Sequence, residues 1–335
     1  MIDIDFGALR RVGLTPHIAA QLADAEPPLQ TARVTEVQRS RLTLHSGMHT
    51  APVPGIAVGD WVLVRETGGT CMVERILEPL TRLTRRTGTQ RQVLATNVDT
   101  ALLVMGLDLD FNLRRLERYL AVAQACHVAP VVVLTKADLG ADAQEKAQRV
   151  PARLPAAVPI LVVNATDART REILAPWTGA TQTLVLLGAS GAGKSTLTNV
   201  LSGSQQCTGA IRADDGRGRH TTTARSLHLC PDGACIIDTP GLRAWQPDAD
   251  EDAITAAFTD IDELASHCRF PDCRHDTEPG CAVRGLIDPD RLLNYRKLLR
   301  EARRSVQTPL ERQQELAKWK VLMRAAAARN RDKRR

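Results

Sequence analysis

A glycine-rich segment contains the residues whose types and spacing point most directly to chemistry. It fits the pattern G-x-x-x-x-G-K-S, follows an apolar run and precedes a helical pattern, as a phosphate-binding loop requires. Glycines allow successive backbone N–H groups to surround phosphate oxygens, and the helix N-terminus adds partial positive charge. We expect Lys194 to contact the β- and γ-phosphates of a nucleotide, with a catalytic role, and Ser195 to bind Mg²⁺. The candidate binding residues are Gly188, Ala189, Ser190, Gly191, Ala192, Gly193, Lys194, Ser195 and Thr196.

A second motif, T-K-x-D, indicates which base the nucleotide carries. The Asp138 carboxylate can accept two hydrogen bonds from the N1–H and the N2 amino group of guanine, a pair that adenine does not offer. Lys136 is expected to lie along the face of the base. The usual first residue is Asn, and the Thr135 hydroxyl can replace only part of what an amide supplies. Asn164 follows the next apolar run, where a second base-contacting loop belongs. The T-K-x-D motif comprises Thr135, Lys136, Ala137 and Asp138.

Two further segments contain residues suited to Mg²⁺ and to the γ-phosphate. Asp238 ends an apolar run and opens the tetrad D-T-P-G. We expect its carboxylate to hold Mg²⁺ through water and the Gly241 N–H to sense the γ-phosphate. A threonine run at residues 221–223 lies between the phosphate loop and this tetrad. Such a run alone is typical of a solvated loop, but its position makes Thr222 our candidate for a Mg²⁺ ligand with a catalytic role.

Position 242 limits the expected rate of hydrolysis. Many enzymes that hydrolyse GTP place a glutamine there, which orients the attacking water, whereas this chain has Leu242. Leucine forms no side-chain hydrogen bond and transfers no proton, so intrinsic turnover should be slow until another group or a partner completes the site. His220 is the nearest catalytic candidate in the sequence. A contact between His220 and a partner is an equally good interpretation.

The order of these motifs along the chain is itself informative. In an ordinary small GTPase the phosphate loop comes first and the base-reading loop comes late. Here T-K-x-D comes first, followed by the phosphate loop, the threonine run and D-T-P-G. All the motifs are present but rejoined in another order. The sequence therefore predicts a circularly permuted GTPase domain of the P-loop type, which we place at residues 81–249.

Three cysteines and one histidine lie close together in the C-terminal part of the chain. Their spacing is C-x4-C-x-H-x5-C, in a segment that also contains proline and glycine. A Cys₃His set suits a closed tetrahedral Zn²⁺ site, in which four filled positions indicate a structural role. His267 could replace one ligand, and unrelated free thiols are the other interpretation. The predicted zinc ligands are Cys268, Cys273, His275 and Cys281.

The elements that must position these residues fall into several regions. Apolar runs alternate with helical segments over residues 81–249, as in a parallel α/β sheet covered on both faces. Residues 31–80 contain short alternating segments between Gly and Pro turns, which predict an all-β barrel. An OB-fold is one candidate for this barrel and an SH3-like barrel is the other, and the pattern alone scarcely separates them. Residues 1–30 read as an extension, and residues 250–335 as a zinc-binding domain with a basic helical tail.

Charge and composition favour an acidic partner and argue against a membrane. The chain has a net charge of +6, yet residues 291–335 contain 15 Lys and Arg against 4 Asp and Glu. The basic character is therefore concentrated in the tail, where it can bind phosphates. No apolar run is long enough to span a bilayer, and the N-terminus does not resemble a secretory signal. We expect a cytoplasmic monomer without membrane contact, whose cysteines are reduced.

The motif order, the preceding barrel and the following C-x4-C-x-H-x5-C together resemble the RsgA (YjeQ) family of ribosome small-subunit-dependent GTPases. The resemblance covers nearly the whole chain and includes A-T-N-V-D at residues 95–99. It implies an OB-fold, a permuted GTPase domain and a zinc domain. It also implies hydrolysis of GTP to GDP and phosphate, stimulated by the small ribosomal subunit during its late maturation, with binding to rRNA. The Thr135 departure is tolerated in that family.

The permutation suggests how the nucleotide state could reach the C-terminal region. The chain leaves the GTPase domain just after D-T-P-G and enters the zinc region by Cys268. A switch movement on loss of the γ-phosphate would then pull on that region. Two other functions compete with this interpretation. One is an ATPase or kinase, against which Asp138 argues. The other is an RNA-binding scaffold with a structural nucleotide, which Leu242 keeps open.

Overall fold

The computed structural model describes residues 5–23, 28–87, 90–167, 169–203, 225–238, 246–247 and 251–306. The predicted residues His220, Thr222, Gly241 and Leu242 lie outside these ranges, as does the tail beyond residue 306. The helices are α1 (Phe6–Arg11), α2 (Pro16–Ala20), α3 (Leu113–Ala125), α4 (Ala143–Arg149), α5 (Arg169–Leu174), α6 (Lys194–Ser202), α7 (Glu251–Ala257), α8 (Thr259–Ala265) and α9 (Pro289–Val306). The strands are β1 (Gln30–Val37), β2 (Leu42–Leu44), β3 (His49–Thr50), β4 (Trp61–Thr67), β5 (Thr70–Ile76), β6 (Arg82–Thr87), β7 (Gln90–Thr96), β8 (Thr100–Gly106), β9 (Ala129–Thr135), β10 (Ile160–Val162), β11 (Thr183–Gly188), β12 (Arg225–Leu229), β13 (Cys235–Asp238) and β14 (Gln246–Pro247).

Strands β1 to β5 close into a barrel. β1 pairs antiparallel with both β2 and β4, and β4 pairs antiparallel with β5. β3 pairs with β5 in parallel, through Thr50 and Cys71. The resulting circular order, 1-2-3-5-4, is that of the five-stranded OB-fold and decides against an SH3-like barrel. The barrel core is aliphatic and includes Val34, Leu42 and Val62.

The two N-terminal helices pack against the barrel. Leu9, Ile18 and Leu22 share one buried cluster with Trp61 and Leu77. Trp61 is fully buried there. The segment that the sequence marks as an extension therefore contributes its own apolar face to the barrel unit.

The central part of the chain folds as the predicted α/β sheet. β10, β9, β8, β11 and β13 are neighbours in that order and run parallel, with β12 antiparallel to β13. β8 and β11 are buried along their whole length because helices cover both faces. α3 packs on one face through Leu116 and Leu120, and α6 on the other through Leu197 and Leu201. β6 and β7 form a separate hairpin to which β14 adds a third strand.

The barrel and the GTPase sheet are joined by backbone pairing. β12 pairs antiparallel with β1, with Ser226 opposite Glu36, so both units belong to one continuous sheet. The buried Arg33 strengthens the junction. Its guanidinium donates to the Val12 carbonyl at 2.7 Å and to the Thr183 hydroxyl at 3.0 Å, and lies 5.6 Å from the Trp61 ring centroid. Burial lowers the pKa of this guanidinium.

The C-terminal helices share a core with the GTPase unit. α7 and α9 pack against α3, and Ile254, Phe258 and Leu298 belong to the same buried cluster as Leu116 and Leu120. The predicted boundary near residue 250 therefore falls within one continuous core, and its exact position stays a prediction. In the ranges that the structure describes, no helix is both long and apolar enough to cross a bilayer.

Candidate nucleotide site and metal centre

The phosphate loop lies between the end of β11 and the start of α6. Gly193 precedes α6 with a φ of +95°, in the left-handed region that favours glycine. At Gly188 an added Cβ would lie 2.5 Å from the Val104 carbonyl oxygen on the neighbouring strand, so only glycine fits. The Lys194 ammonium donates to the carbonyls of Gly188 at 2.9 Å and of Ala189 at 2.7 Å. The loop thus has the strand–loop–helix context that the sequence predicts.

The described magnesium candidates come from neighbouring elements. Asp238 is the last residue of β13, is buried, and lies opposite Leu186 of β11. Ser195 is half-buried in the first turn of α6, directly after the loop that β11 enters. Because parallel strands end at the same edge of a sheet, the structure brings both residues to the phosphate-loop edge. The third candidate, Thr222, lies outside the described residues.

The base-reading motif begins at the last residue of β9. Asp138 is exposed, and its contact with guanine stays a prediction. Lys136 has a φ of +60°, and its ammonium pairs with Asp108 at 2.5 Å. Asn164, in the second predicted base loop, accepts hydrogen bonds from the backbone and the side chain of Thr166.

Thr135 has a role that its motif position does not reveal. Its side chain is fully buried, and its hydroxyl donates to the Ala192 carbonyl of the phosphate loop at 2.7 Å. Thr135 therefore faces the phosphate loop, and the hydrogen bond ties the base-reading loop to it. A hydroxyl forms fewer hydrogen bonds than the amide that is usual at this position, and here the Thr135 hydroxyl bonds to the phosphate loop.

Replacing Thr135 by valine should weaken guanine-nucleotide binding about threefold to tenfold, because the isosteric side chain leaves the buried Ala192 carbonyl without this donor. Serine at the same position keeps the hydroxyl and should bind nearly as the parent does. Calorimetric titration with GDP measures both variants. Equal affinities for the valine and serine variants would show that the tether does not organise the site.

The four predicted zinc ligands come together in space. Their donor atoms all lie within 4.8 Å of one another. The His275 Nδ1 atom is 3.6 Å from the Cys268 sulfur and 3.5 Å from the Cys281 sulfur. A tetrahedral zinc with a Zn–S bond of about 2.3 Å and a Zn–N bond of about 2.0 Å places nitrogen and sulfur about 3.5 Å apart, so this donor set fits zinc. The Ala282 N–H donates to the Cys268 sulfur at 3.3 Å, which suits a thiolate ligand.

A buried ionic network attaches the C-terminal region to α3. Glu117, in the middle of α3, is fully buried and accepts from Arg153 at 2.8 Å, from Arg291 at 2.8 Å and from Asn294 at 2.5 Å. Arg291 and Asn294 both belong to α9. Burial raises the pKa of Glu117, and the charge of Arg153 opposes that shift. No sequence motif predicts this network. The one signal was a glutamate next to the apolar residues of α3, which could have indicated a buried charge that needs partners.

Comparison with known proteins decides the family. The family profile of the RsgA GTPase matches residues 76–248. A protein of Vibrio vulnificus (strain CMCP6), named small ribosomal subunit biogenesis GTPase RsgA 2, is 43% identical over 310 residues, which cover 88% of this chain and 87% of that protein. This chain belongs to the RsgA GTPase family. It is a GTP hydrolase, as the motifs and the resemblance predict.

Further RsgA relatives and solved structures agree. The RsgA of Xanthomonas euvesicatoria pv. vesicatoria (strain 85-10) is 43% identical over 299 residues, covering 85% of this chain and 77% of that protein. The crystal structure of YjeQ from Thermotoga maritima matches with a TM-score of 0.60 at 23% identity, over 82% of this chain and 98% of that one. YloQ, titled a circularly permuted GTPase, matches with a TM-score of 0.57 at 22% identity, over 85% and 99%. The predicted permuted fold is confirmed.

For this RsgA family member, the roles of individual site residues stay predictions. The structure brings Lys194, Ser195 and Asp238 to one edge of the sheet and gathers the four zinc ligands, whereas His267 lies outside that cluster. The proposed pull from D-T-P-G on the zinc region involves residues outside the described ranges. The described contacts reveal another attachment, through α3.

Proposed function

We propose that this chain hydrolyses GTP in response to the small ribosomal subunit, during late maturation of that subunit, and binds its rRNA. The single observation that carries the proposal is 43% identity, over nearly nine-tenths of the chain, to a protein named for biogenesis of the small ribosomal subunit. We further propose that it acts in the cytoplasm as a monomer and alternates between GTP-bound and GDP-bound states.

The nucleotide site works through positioning and charge. Asp138 accepts from guanine, Lys194 contacts the β- and γ-phosphates, and the loop N–H groups surround phosphate oxygens. Ser195 and Thr222 would bind Mg²⁺ directly and Asp238 through water. The ion, when bound, neutralises negative charge that develops on the phosphates. Gly241 would sense the γ-phosphate. His220, or a group from the ribosome, would orient the attacking water, since Leu242 cannot.

The zinc centre would have a structural role. Four protein ligands leave no open position for a substrate, so Zn²⁺ held by Cys268, Cys273, His275 and Cys281 would stabilise the loop between α8 and α9. That loop leads into α9, which carries Arg291, and the basic tail follows α9 in the sequence. The OB-fold barrel and this basic region are the surfaces suited to rRNA phosphates.

Purified small subunits should stimulate GTP hydrolysis by at least about tenfold, because a partner can complete a site that lacks its water-orienting residue. Phosphate release is measured at saturating GTP with small subunits, with large subunits, and without ribosomes. The Lys194→Ala variant reports contaminating hydrolysis in each condition. Equal rates with and without small subunits would overturn the proposal. Displacement of GTP by equimolar ATP would favour a different nucleotide specificity.

A further inference from the structure

An aspartate outside the nucleotide motifs pairs with the lysine of T-K-x-D. Asp108 follows β8 at the same edge of the sheet as T-K-x-D. Its Oδ2 atom accepts from the Lys136 ammonium at 2.5 Å. Both side chains are half-buried, with 23% of Lys136 and 30% of Asp108 exposed. An ion pair with this exposure contributes little to folding stability, but it can still fix the position of the lysine side chain.

The loop that carries Asp108 is itself fixed. The Lys146 ammonium, on α4, donates to the carbonyls of Leu107 at 3.2 Å and Asp108 at 3.0 Å. The Asp110 N–H donates to the Asp108 carboxylate at 3.1 Å. Burial alone would raise the pKa of Asp108, but the hydrogen bonds from Lys136 and the Asp110 N–H, together with the charge of Lys136, outweigh burial, and the pKa is lowered. The carboxylate is therefore an oriented, charged acceptor that the chain holds in place.

A fixed acceptor affects nucleotide binding because lysine has a flexible four-carbon side chain, which loses rotamer freedom when it is ordered. In the base-reading role, the apolar part of Lys136 must lie along the face of the base. An ammonium already held by Asp108 limits the conformations of that part before a nucleotide arrives. Preorganisation of this kind increases affinity by reducing the cost of ordering on binding.

We propose that Asp108 is a positioning residue for guanine-nucleotide binding and acts by holding Lys136 across the base site. The proposal rests on the base-reading role of T-K-x-D. Because the side chain of Lys136 contacts the face of the base, this contribution does not depend on the exocyclic groups of the purine. Asp138 supplies the complementary readout of the guanine edge.

Substituting Asp108→Asn should weaken binding of GDP about tenfold, as expected for loss of a charge-assisted hydrogen bond. Inosine diphosphate, which lacks the N2 amino group, should lose affinity by the same factor. An Asp138→Asn variant should instead change the ratio between the two nucleotides. The KM for GTP should rise with a smaller change in kcat. Calorimetric titration and initial rates measure these effects.

A double-mutant cycle tests the mechanism. Lys136→Met keeps an apolar side chain without the ammonium, so adding Asp108→Asn to it should cause no further loss of GDP affinity. Additive losses would overturn the proposal. Asp232→Asn is the matched control: Asp232 pairs with Arg171 at 2.7 Å just before β13, at the opposite edge of the sheet, and this variant should bind GDP as the parent does.

Two outcomes separate this inference from the proposed function. If the parent chain binds GDP with micromolar or better affinity and Asp108→Asn binds it equally well, only the positioning role fails. If the parent chain prefers another nucleotide, the base-reading role itself fails. Thermal unfolding of every variant shows whether it is folded. Asp108→Glu keeps the charge and should recover part of the affinity if the first variant is unstable.

Discussion

Replacing Glu117 by alanine should lower the free energy of unfolding by about 3 kcal/mol or more, the usual cost of removing one partner of a buried ion pair. The change leaves Arg153 and Arg291, with side chains only 6% and 3% exposed, without their shared carboxylate. Arg153 keeps Asp288 and Asp290, and Arg291 keeps Asp260. These more exposed partners reduce the loss but cannot supply the buried acceptor.

Urea unfolding followed by two spectroscopic probes measures this effect. Glu301→Ala is the matched control, because Glu301 also joins α3 to α9 by pairing with Arg118 but is 33% exposed. It should cost about 1 kcal/mol or less. We also expect the Glu117→Ala variant to be cleaved faster by protease near the start of α9, since the junction weakens. Equal stability of the two variants would mean that the network does not hold the C-terminal region in place.

Replacing His275 by alanine should abolish stoichiometric zinc binding and loosen the segment between α8 and α9. His275 is buried, and its ring faces two of the three cysteine sulfurs, so the remaining thiols cannot close a tetrahedral site. Structural zinc contributes of the order of 10 kcal/mol to the folding of small metal domains. Here α7 and α9 should keep their packing on α3 without the metal. We therefore expect local opening with the rest of the chain folded.

Elemental analysis of the purified protein gives the zinc content, and hydrogen exchange reports the local opening. His267→Ala is the matched control, because His267 precedes Cys268 but lies outside the donor cluster. It should retain one zinc per chain. A variant at His275 that keeps zinc with unchanged affinity, or a loss of zinc at His267, would show that the ligand set is different. Binding to the small subunit should weaken only in the variant that loses zinc.

Local patterns sufficed to predict the central sheet and the clustering of the three cysteines with His275. Apolar runs marked the strands, and the spacing of cysteines within one loop already limits how the ligands meet. The type of barrel was ambiguous because it depends on a parallel pairing between Thr50 and Cys71, which no local pattern encodes. The order of the barrel strands could therefore be read only from the structure.

The side-chain contacts around the site could not be predicted from the sequence either, because they also join residues that are distant along the chain. Thr135 bonds to Ala192 only because β9 and the phosphate loop reach one edge of the sheet. Glu117 meets Arg291 across a helix interface. A single threonine or glutamate has many compatible environments, so its residue type alone predicts none of these partners. The same holds for Asp108, because nothing in the local sequence G-L-D-L-D indicates that Lys136 is its partner.

The pairing of β12 with β1 covers part of the sheet edge of the GTPase unit. An edge strand of a sheet has unpaired backbone N–H and C=O groups, and peptide partners often bind by adding a strand to it. β12 pairs with β13 from Ser226 to Leu229, and on its other side Arg225 and Ser226 pair with β1, so the beginning of its outer edge is already occupied. The barrel acts as a partner built into the same chain. The pairing also protects the beginning of β12 from aggregation. The sequence of β12, R-S-L-H-L, contains neither lysine nor proline, the residues that often protect exposed edge strands.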